Sequence, residues 1–186
     1  MGLPSPSMNP VAVFVVVTSA SIVFGGCANR TPVARVGAKV VNAASDARAT
    51  DGVLGAHNAF YAASNLMLAG DAEPMSAVWS HDDDVTDLSP FGDRRLGWKE
   101  VRAEFKREAA MKLGGSVVSK DVVVGFSDDM AYTIGVEHAK RMTVDGKPVE
   151  VQLRATNIFR LQGGKWKLVH HHADLSAPLE AAVSSK

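Results

Sequence analysis

The sequence predicts an α+β fold in a single domain, with helices first and an antiparallel sheet after them. Three observations carry this. Apolar residues recur at helical spacing between about residues 51 and 111, the period changes to two from Ser116 onward, and the strand-like segments are separated by turn chemistry, "SDD", "DG" and "GG". Helical segments followed by hairpin-linked strands are expected to pack as helices on one face of a sheet.

The chain has 186 residues, 46% of them hydrophobic, and a formal net charge of zero. That length suffices for one core without staples. With acidic and basic residues interspersed, nothing marks a nucleic-acid surface, so no nucleic-acid partner is expected. Val11 to Gly26, "VAVFVVVTSASIVFGG", is uncharged and apolar but shorter than a spanning helix needs, which suits a secretory segment. "VFGGC" resembles a bacterial lipoprotein cleavage site. The resemblance implies a signal peptide over 1–26, with Cys27, the only cysteine, lipidated as the first mature residue. The domain would then be anchored to a membrane of the cell envelope, facing away from the cytoplasm. An ordinary signal, giving a secreted or periplasmic domain, is the other reading. Residues 27–50, Ala-rich and weakly patterned, read as a tether. The domain is expected over 51–178, and 179–186 as a tail.

Within the domain, Val53, Leu54, His57, Phe60, Tyr61 and Leu68 form one helical stripe that Gly70 can stop. Pro74 suits the first turn of a short helix from Glu73 to Trp79. Val85 to Leu88 is strand-like and is followed by Pro90, Gly92 and Gly97. Trp98, Val101, Phe105 and Ala109 give a third helix before Gly114. "VVSKDVVVGF", "MAYTIGVEHAKRM", "VEVQLRATNIFRL" and "KWKLVHHHADL" are the four long strands.

The turns predict the register. A tight turn at Asp145-Gly146 sets Glu137 opposite Arg154 and, on the other face, Tyr132 opposite Phe159, Ile134 opposite Asn157, Val136 opposite Ala155 and His138 opposite Leu153. The turn at Gly163-Gly164 then puts Asn157 opposite His170, Ala155 opposite His172 and Leu153 opposite Asp174. Strict alternation sends His170 and His172 to the buried face and His171 outward.

"HNAFYAASNLMLAGD", "LGWKEVRAEF", "DDMAYTIGVEH" and "LRATNIFRLQGGKWKLVHHHAD", in this order, resemble SnoaL-like domains of the nuclear transport factor 2-like superfamily, whose fold is also called cystatin-like. The resemblance implies a cone, in which a curved, mostly antiparallel sheet wraps around helices and leaves a pocket at its wide end. It also implies a homodimer through the outer sheet face, making Thr156, Ile158, Val169 and His171 interface candidates. Polyketide cyclases, ketosteroid isomerases, dehydratases, a kinase association domain and proteins without demonstrated activity share this fold, so the fold alone selects no function. The arginine of the kinase association domain falls where this chain has Asn157, so its anion binding is not implied.

The leading expectation is a small, largely apolar ligand in the cone, with Trp79, Trp98, Phe105, Tyr132, His138, Asn157, His170 and His172 around it. The aromatic residues also suit ordinary core. An enzyme is the second reading, with His172 as general acid or base and Asp174 or His170 assisting it. The plain alternative is a histidine satisfied by Asn157, with Asp174 closing the sheet. A non-catalytic assembly module is the third. His170 and His172 could chelate a metal only with His138 reaching across two strands, so no metal and no cofactor is expected. "HDDDVTD" lacks the glycine and distal glutamate of a calcium loop and reads as a solvated loop or strand start.

Overall fold

The computed structural model describes residues 43–175, with side chains from residue 46; the signal-like segment, Cys27 and the 179–186 tail lie outside the described residues. Helix α1 spans Ala43–Leu68, beginning inside the Ala-rich stretch. It buries Val53, His57, Phe60, Tyr61, Ser64, Met67 and Leu68, one face at three- and four-residue spacing. Gly70, at φ 111, lets the chain turn back, and its amide donates to the Met67 carbonyl at 2.9 Å. Helix α2 is Glu73–Val78 and α3 is Trp98–Met111, the latter ended by Lys112 in the left-handed conformation, two residues before Gly114. Among the described residues no helix is long and apolar enough to cross a membrane.

Six strands form one curved, open sheet: β1 Thr86–Leu88, β2 Arg95–Leu96, β3 Ser116–Phe126, β4 Met130–Val144, β5 Lys147–Gln162 and β6 Lys165–Leu175, in the order β2-β1-β6-β5-β4-β3. The sheet is mixed, because β1 runs parallel to β6 while the other pairs are antiparallel. The parallel pair brings Asp87 beside His171. The core lies between the inner sheet face and the helices, where Phe60, Trp79, Phe105, Phe159 and Leu168 pack together.

Both hairpin turns form where the sequence places them, but the register changes beyond each. Val144 pairs with Lys147 and Met142 with Val149, as the Asp145-Gly146 turn requires. Lys140 and Arg141 then oppose a single residue of β5, so Ala139 pairs with Val151, Glu137 with Leu153 and Thr133 with Asn157. This is a bulge, with Arg141 at φ 56. Gly115 lies so close to this backbone that an added Cβ would come within 2.3 Å of the Lys140 carbonyl oxygen, so only glycine fits. A one-residue slip exchanges the faces of a strand. Glu137, expected to pair outward with Arg154, is therefore buried, while Tyr132, Ile134, Val136 and His138 occupy the outer face.

A second bulge repeats the effect in β6. Phe159 pairs with Leu168, but Ile158 pairs with His170, leaving Val169 as the extra residue. Leu168 and Val169 are both buried. The Leu168 carbonyl accepts the Ser80 amide at 2.8 Å, which ties this point of β6 to the end of α2. Beyond it Asn157 faces His171, not His170; Thr156 faces His172; and Arg154 faces Asp174. The histidine assignment is thereby inverted. His171 is buried and His172 is exposed.

Candidate functional site

A cavity of about 240 Å³ opens between α1, α3, β1 and the inner faces of β4, β5 and β6. Its walls are mostly apolar, among them Phe60, Met67, Phe91, Phe105, Met142 and Val151. Its polar lining includes Tyr61, Asp87, Glu108, Glu137 and His171. Of the eight residues expected around a ligand, Phe105 alone lines this cavity. Trp79 is core, Trp98 stacks on His81 at 4.3 Å, and Tyr132 and His138 lie on the outer face. Asn157 stands behind the wall as a hydrogen-bonding hub.

His170 and His172 also lie on the outer face, where Thr86 Oγ1 bonds the His170 Nδ1 at 2.7 Å. Asp174 accepts two hydrogen bonds from Arg154, at 3.1 and 2.8 Å, and orients no imidazole. The three residues expected to move a proton thus do not reach the cavity. Two of the four expected interface residues are misplaced as well, because Val169 and His171 are buried while Thr156 and Ile158 stay on the outer face. Among the described residues no group of three or more His, Cys, Asp or Glu could hold a metal.

Inside, two sets of buried polar groups differ in how they are satisfied. In the first, Asn157 Nδ2 donates to Tyr61 Oη and Thr133 Oγ1, each at 3.3 Å, and its Oδ1 is 2.8 Å from His171 Nδ1. That orientation makes the His171 Nδ1–H the donor and leaves Nε2 bare. Burial holds His171 neutral, its pKa pushed down to about 3. Tyr61 donates to Glu137 Oε1 at 2.9 Å, and His57 Nδ1 meets Thr133 Oγ1 at the same distance. Burial raises Tyr61 well above the ordinary phenol and pushes Glu137 up to about 7.

The second set lies on α3 and β1. Glu104, on the buried stripe of α3 with Val101, Phe105 and Glu108, binds Arg95 Nε at 3.2 Å and also Arg107. Hydrogen bonds from Arg107 hold its carboxyl below the usual range. Glu108 accepts from Ser89 Oγ at 2.5 Å, and burial raises its pKa to about 7. Asp87 has no such partner. It is 1% exposed, and neither carboxyl oxygen has a hydrogen-bond partner in the protein. Burial first, then the nearby Glu108 and Glu104, push its pKa up to about 8, and Arg95 opposes them only in part. An unpartnered buried carboxyl is costly, and such groups concentrate where function requires them.

Sequence reading missed Asp87, though a signal was present. Val85 lies at the strand start and is fully buried, and period two carries Asp87 to the same face. Glu104 and Glu108 sit within the width of the Val101 stripe, three and seven residues on.

The comparisons with known proteins agree with this architecture. The SnoaL-like domain family matches residues 53–180. No curated protein matches. Among solved structures, a candidate dehydratase of the NTF2-like family from Streptomyces avermitilis is 27% identical, covers 72% of this chain and 99% of its own, and superposes with a TM-score of 0.61. A candidate calcium/calmodulin-dependent protein kinase type II association domain from Thiobacillus denitrificans is 26% identical, covering 67% of this chain and 94% of its own at a TM-score of 0.56. An NTF2-like superfamily protein from Salmonella enterica serovar Typhimurium shares the fold at a TM-score of 0.63, with 11% identity over 72% of this chain and 94% of its own. The helix-first order, the curved sheet with its pocket against α1, and the match across nearly the whole described domain have one meaning: this chain belongs to the SnoaL-like domain family.

Proposed function

We propose that the domain binds a small, largely apolar ligand in the cavity, with Asp87 as its polar anchor. The observation that carries this is a carboxyl buried to 1% exposure with both oxygens uncommitted, on the wall of an otherwise apolar cavity. The test is native mass spectrometry of the purified protein beside Asp87→Asn. A bound species lost or much reduced in the variant supports the reading, and equal retention by both contradicts it.

A second reading is an acid–base enzyme of the isomerase or dehydratase kind, with Asp87 in the place first given to His172. A carboxyl raised to about 8 sits near neutral pH, where a general acid or base works best. The similarity to a candidate dehydratase agrees with it. Loss of turnover of a trial β-hydroxy ketone in Asp87→Asn, but not in His172→Ala, would support this reading, and the reverse would sink it.

The outer sheet face supports a homodimer. Val123, Ile134 and Tyr132 are 59%, 48% and 43% exposed there. A monomeric sedimentation coefficient at high protein concentration would remove it, and with it the assembly-module reading. "VFGGC" supports lipidation at Cys27 and an envelope location facing outside the cytoplasm. Mass spectrometry of the mature N-terminus tests this, an unmodified Cys27 being the contrary result.

A further inference from the structure

We infer that the cavity selects a small apolar amine, held as an ammonium against Asp87 and the bare Nε2 of His171. This rests on the cavity being the ligand site. The Tyr61 hydroxyl donates to Glu137, the Ser89 hydroxyl to Glu108, and the Ser64 hydroxyl to the Phe60 carbonyl. The amide hydrogens of Asn157 are engaged by Tyr61 and Thr133, and the His171 Nδ1–H by Asn157. The hydroxyl, amide and imidazole hydrogens of these lining and hub side chains are therefore spent.

What remains open is His171 Nε2, an acceptor, and the Asp87 carboxyl, which offers acceptors alone once it has released its proton. Both Asp87 oxygens lack partners, and His171 Nε2 lies 3.9 Å from Glu137 Oε1, a separation that leaves it unbonded. β1 and β6 place the two residues side by side. A ligand that satisfies the Asp87 carboxylate and His171 Nε2 together must bring at least two donors, which an ammonium supplies, and the apolar remainder of the lining asks for a compact hydrocarbon frame. The 240 Å³ available equals the volume of about eight waters, which suits a ring with one short arm. The groups acting on Asp87 are Glu104 and Glu108 from α3, Glu137 from β4 and Arg95 from β2, with neutral His171 beside it on β6. Three of these carboxyls raise the Asp87 pKa and Arg95 lowers it, so a cation is favoured beside Asp87 once it ionises.

The protonation balance supplies the test. Where Asp87 carries its proton, binding an ammonium expels that proton to the buffer, leaving carboxylate against ammonium. Affinity for the amine must therefore rise with pH until Asp87 is ionised in the free protein, near 8, and hold level from there to the amine's own pKa. A ketone would need the protonated carboxyl as donor, and its affinity must fall as pH rises.

The experiment is calorimetric titration of the full chain with cyclohexylmethylamine, cyclohexylmethanol, cyclohexyl methyl ketone and cyclohexanecarboxylate. The amine is expected to bind at least about tenfold tighter than the ketone. Its affinity should gain roughly 75-fold from about pH 6 to about pH 8.5, following the ionised fraction of Asp87, with proton release that buffers of different ionisation enthalpy reveal. Asp87→Asn should lose the amine preference and keep binding of the alcohol. A ketone or alcohol that binds as tightly as the amine, or amine affinity that falls with pH, overturns the amine assignment and leaves the cavity as the ligand site. No saturable binding of any of the four probes counts against the cavity reading itself, and the amine falls with it.

Discussion

Glu104 on α3 and Asp87 on β1 are buried almost equally, 4% and 1% exposed, yet the fold treats them oppositely. Glu104 is clamped by two arginines and ionises readily, whereas Asp87 is left bare and is pushed toward its neutral form. The contrast separates structure from function. A buried charge that serves the fold is given its counter-charges, because desolvation otherwise outweighs what it contributes. A carboxyl left without them lowers stability, and one placed against a cavity is what the proposed binding or proton-transfer role requires. Asn157 at the centre of the inner hub resembles Glu104 in having its amide engaged at both ends, and the hub forms the wall beside which Asp87 is presented.

The sharpest way to break this contrast is at the hub. Asn157→Ala removes three hydrogen bonds at once and leaves His171, Tyr61 and Thr133 with buried, unmatched groups, so urea denaturation should show a loss of about 3 kcal/mol. Asp87→Asn should act in the opposite direction, stabilising the protein by on the order of 2 kcal/mol near pH 8. The sign follows from linkage. A carboxyl whose folded pKa is raised binds its proton in the folded state after the unfolded chain has released it, so stability falls as pH rises. For Asp87 the window runs from its ordinary value of 3.8 to about 8. Glu108 and Glu137, raised to about 7, act in the same sense. Melting temperature should therefore decline from weakly acid to weakly alkaline pH in the wild type, and less steeply in Asp87→Asn. A variant with the same slope as the wild type would mean that Asp87 titrates normally.

Smaller effects are expected at the clamp and outside. Glu104→Gln leaves Arg95 and Arg107, 29% and 44% exposed, free to hydrate, and thermal or chemical denaturation should register a loss of about 1 kcal/mol. The depressed pKa of Glu104 contributes stability that is present at neutral pH and lost as pH falls through it, so the deficit of this variant should shrink in acid. His172→Ala, on the exposed face, should change stability by less than about 0.5 kcal/mol and leave amine binding untouched. A large effect on binding there would restore the strand histidine to the site.

These residues also show what could be read from the sequence. The three helices, all four long strands and both turns were legible, because each depends on local period and turn chemistry. Facing relations were legible only as far as the first bulge. Arg141 and Val169 each insert one residue, and a single insertion exchanges inside for outside along the rest of a strand. Adjacent Leu168 and Val169, both apolar, were the visible hint in β6. In β4 the hint was Ala139 and Met142, inward residues at an odd spacing. The parallel pairing of β1 with β6 brings together segments about eighty residues apart, and no local pattern encodes it. Asp87 thus stood in plain view within "HDDDVTD", while its partner strand, and with it the site, did not.

The most direct measurement is a carbon-13 NMR titration of the Asp87 carboxyl in the full chain, assigned by its disappearance in Asp87→Asn. A midpoint near 8 is expected, shifting to lower pH when cyclohexylmethylamine is bound. A midpoint at the ordinary aspartate value of 3.8, unmoved by any probe, would show a solvated carboxyl and contradict the assignment of this cavity as the functional site.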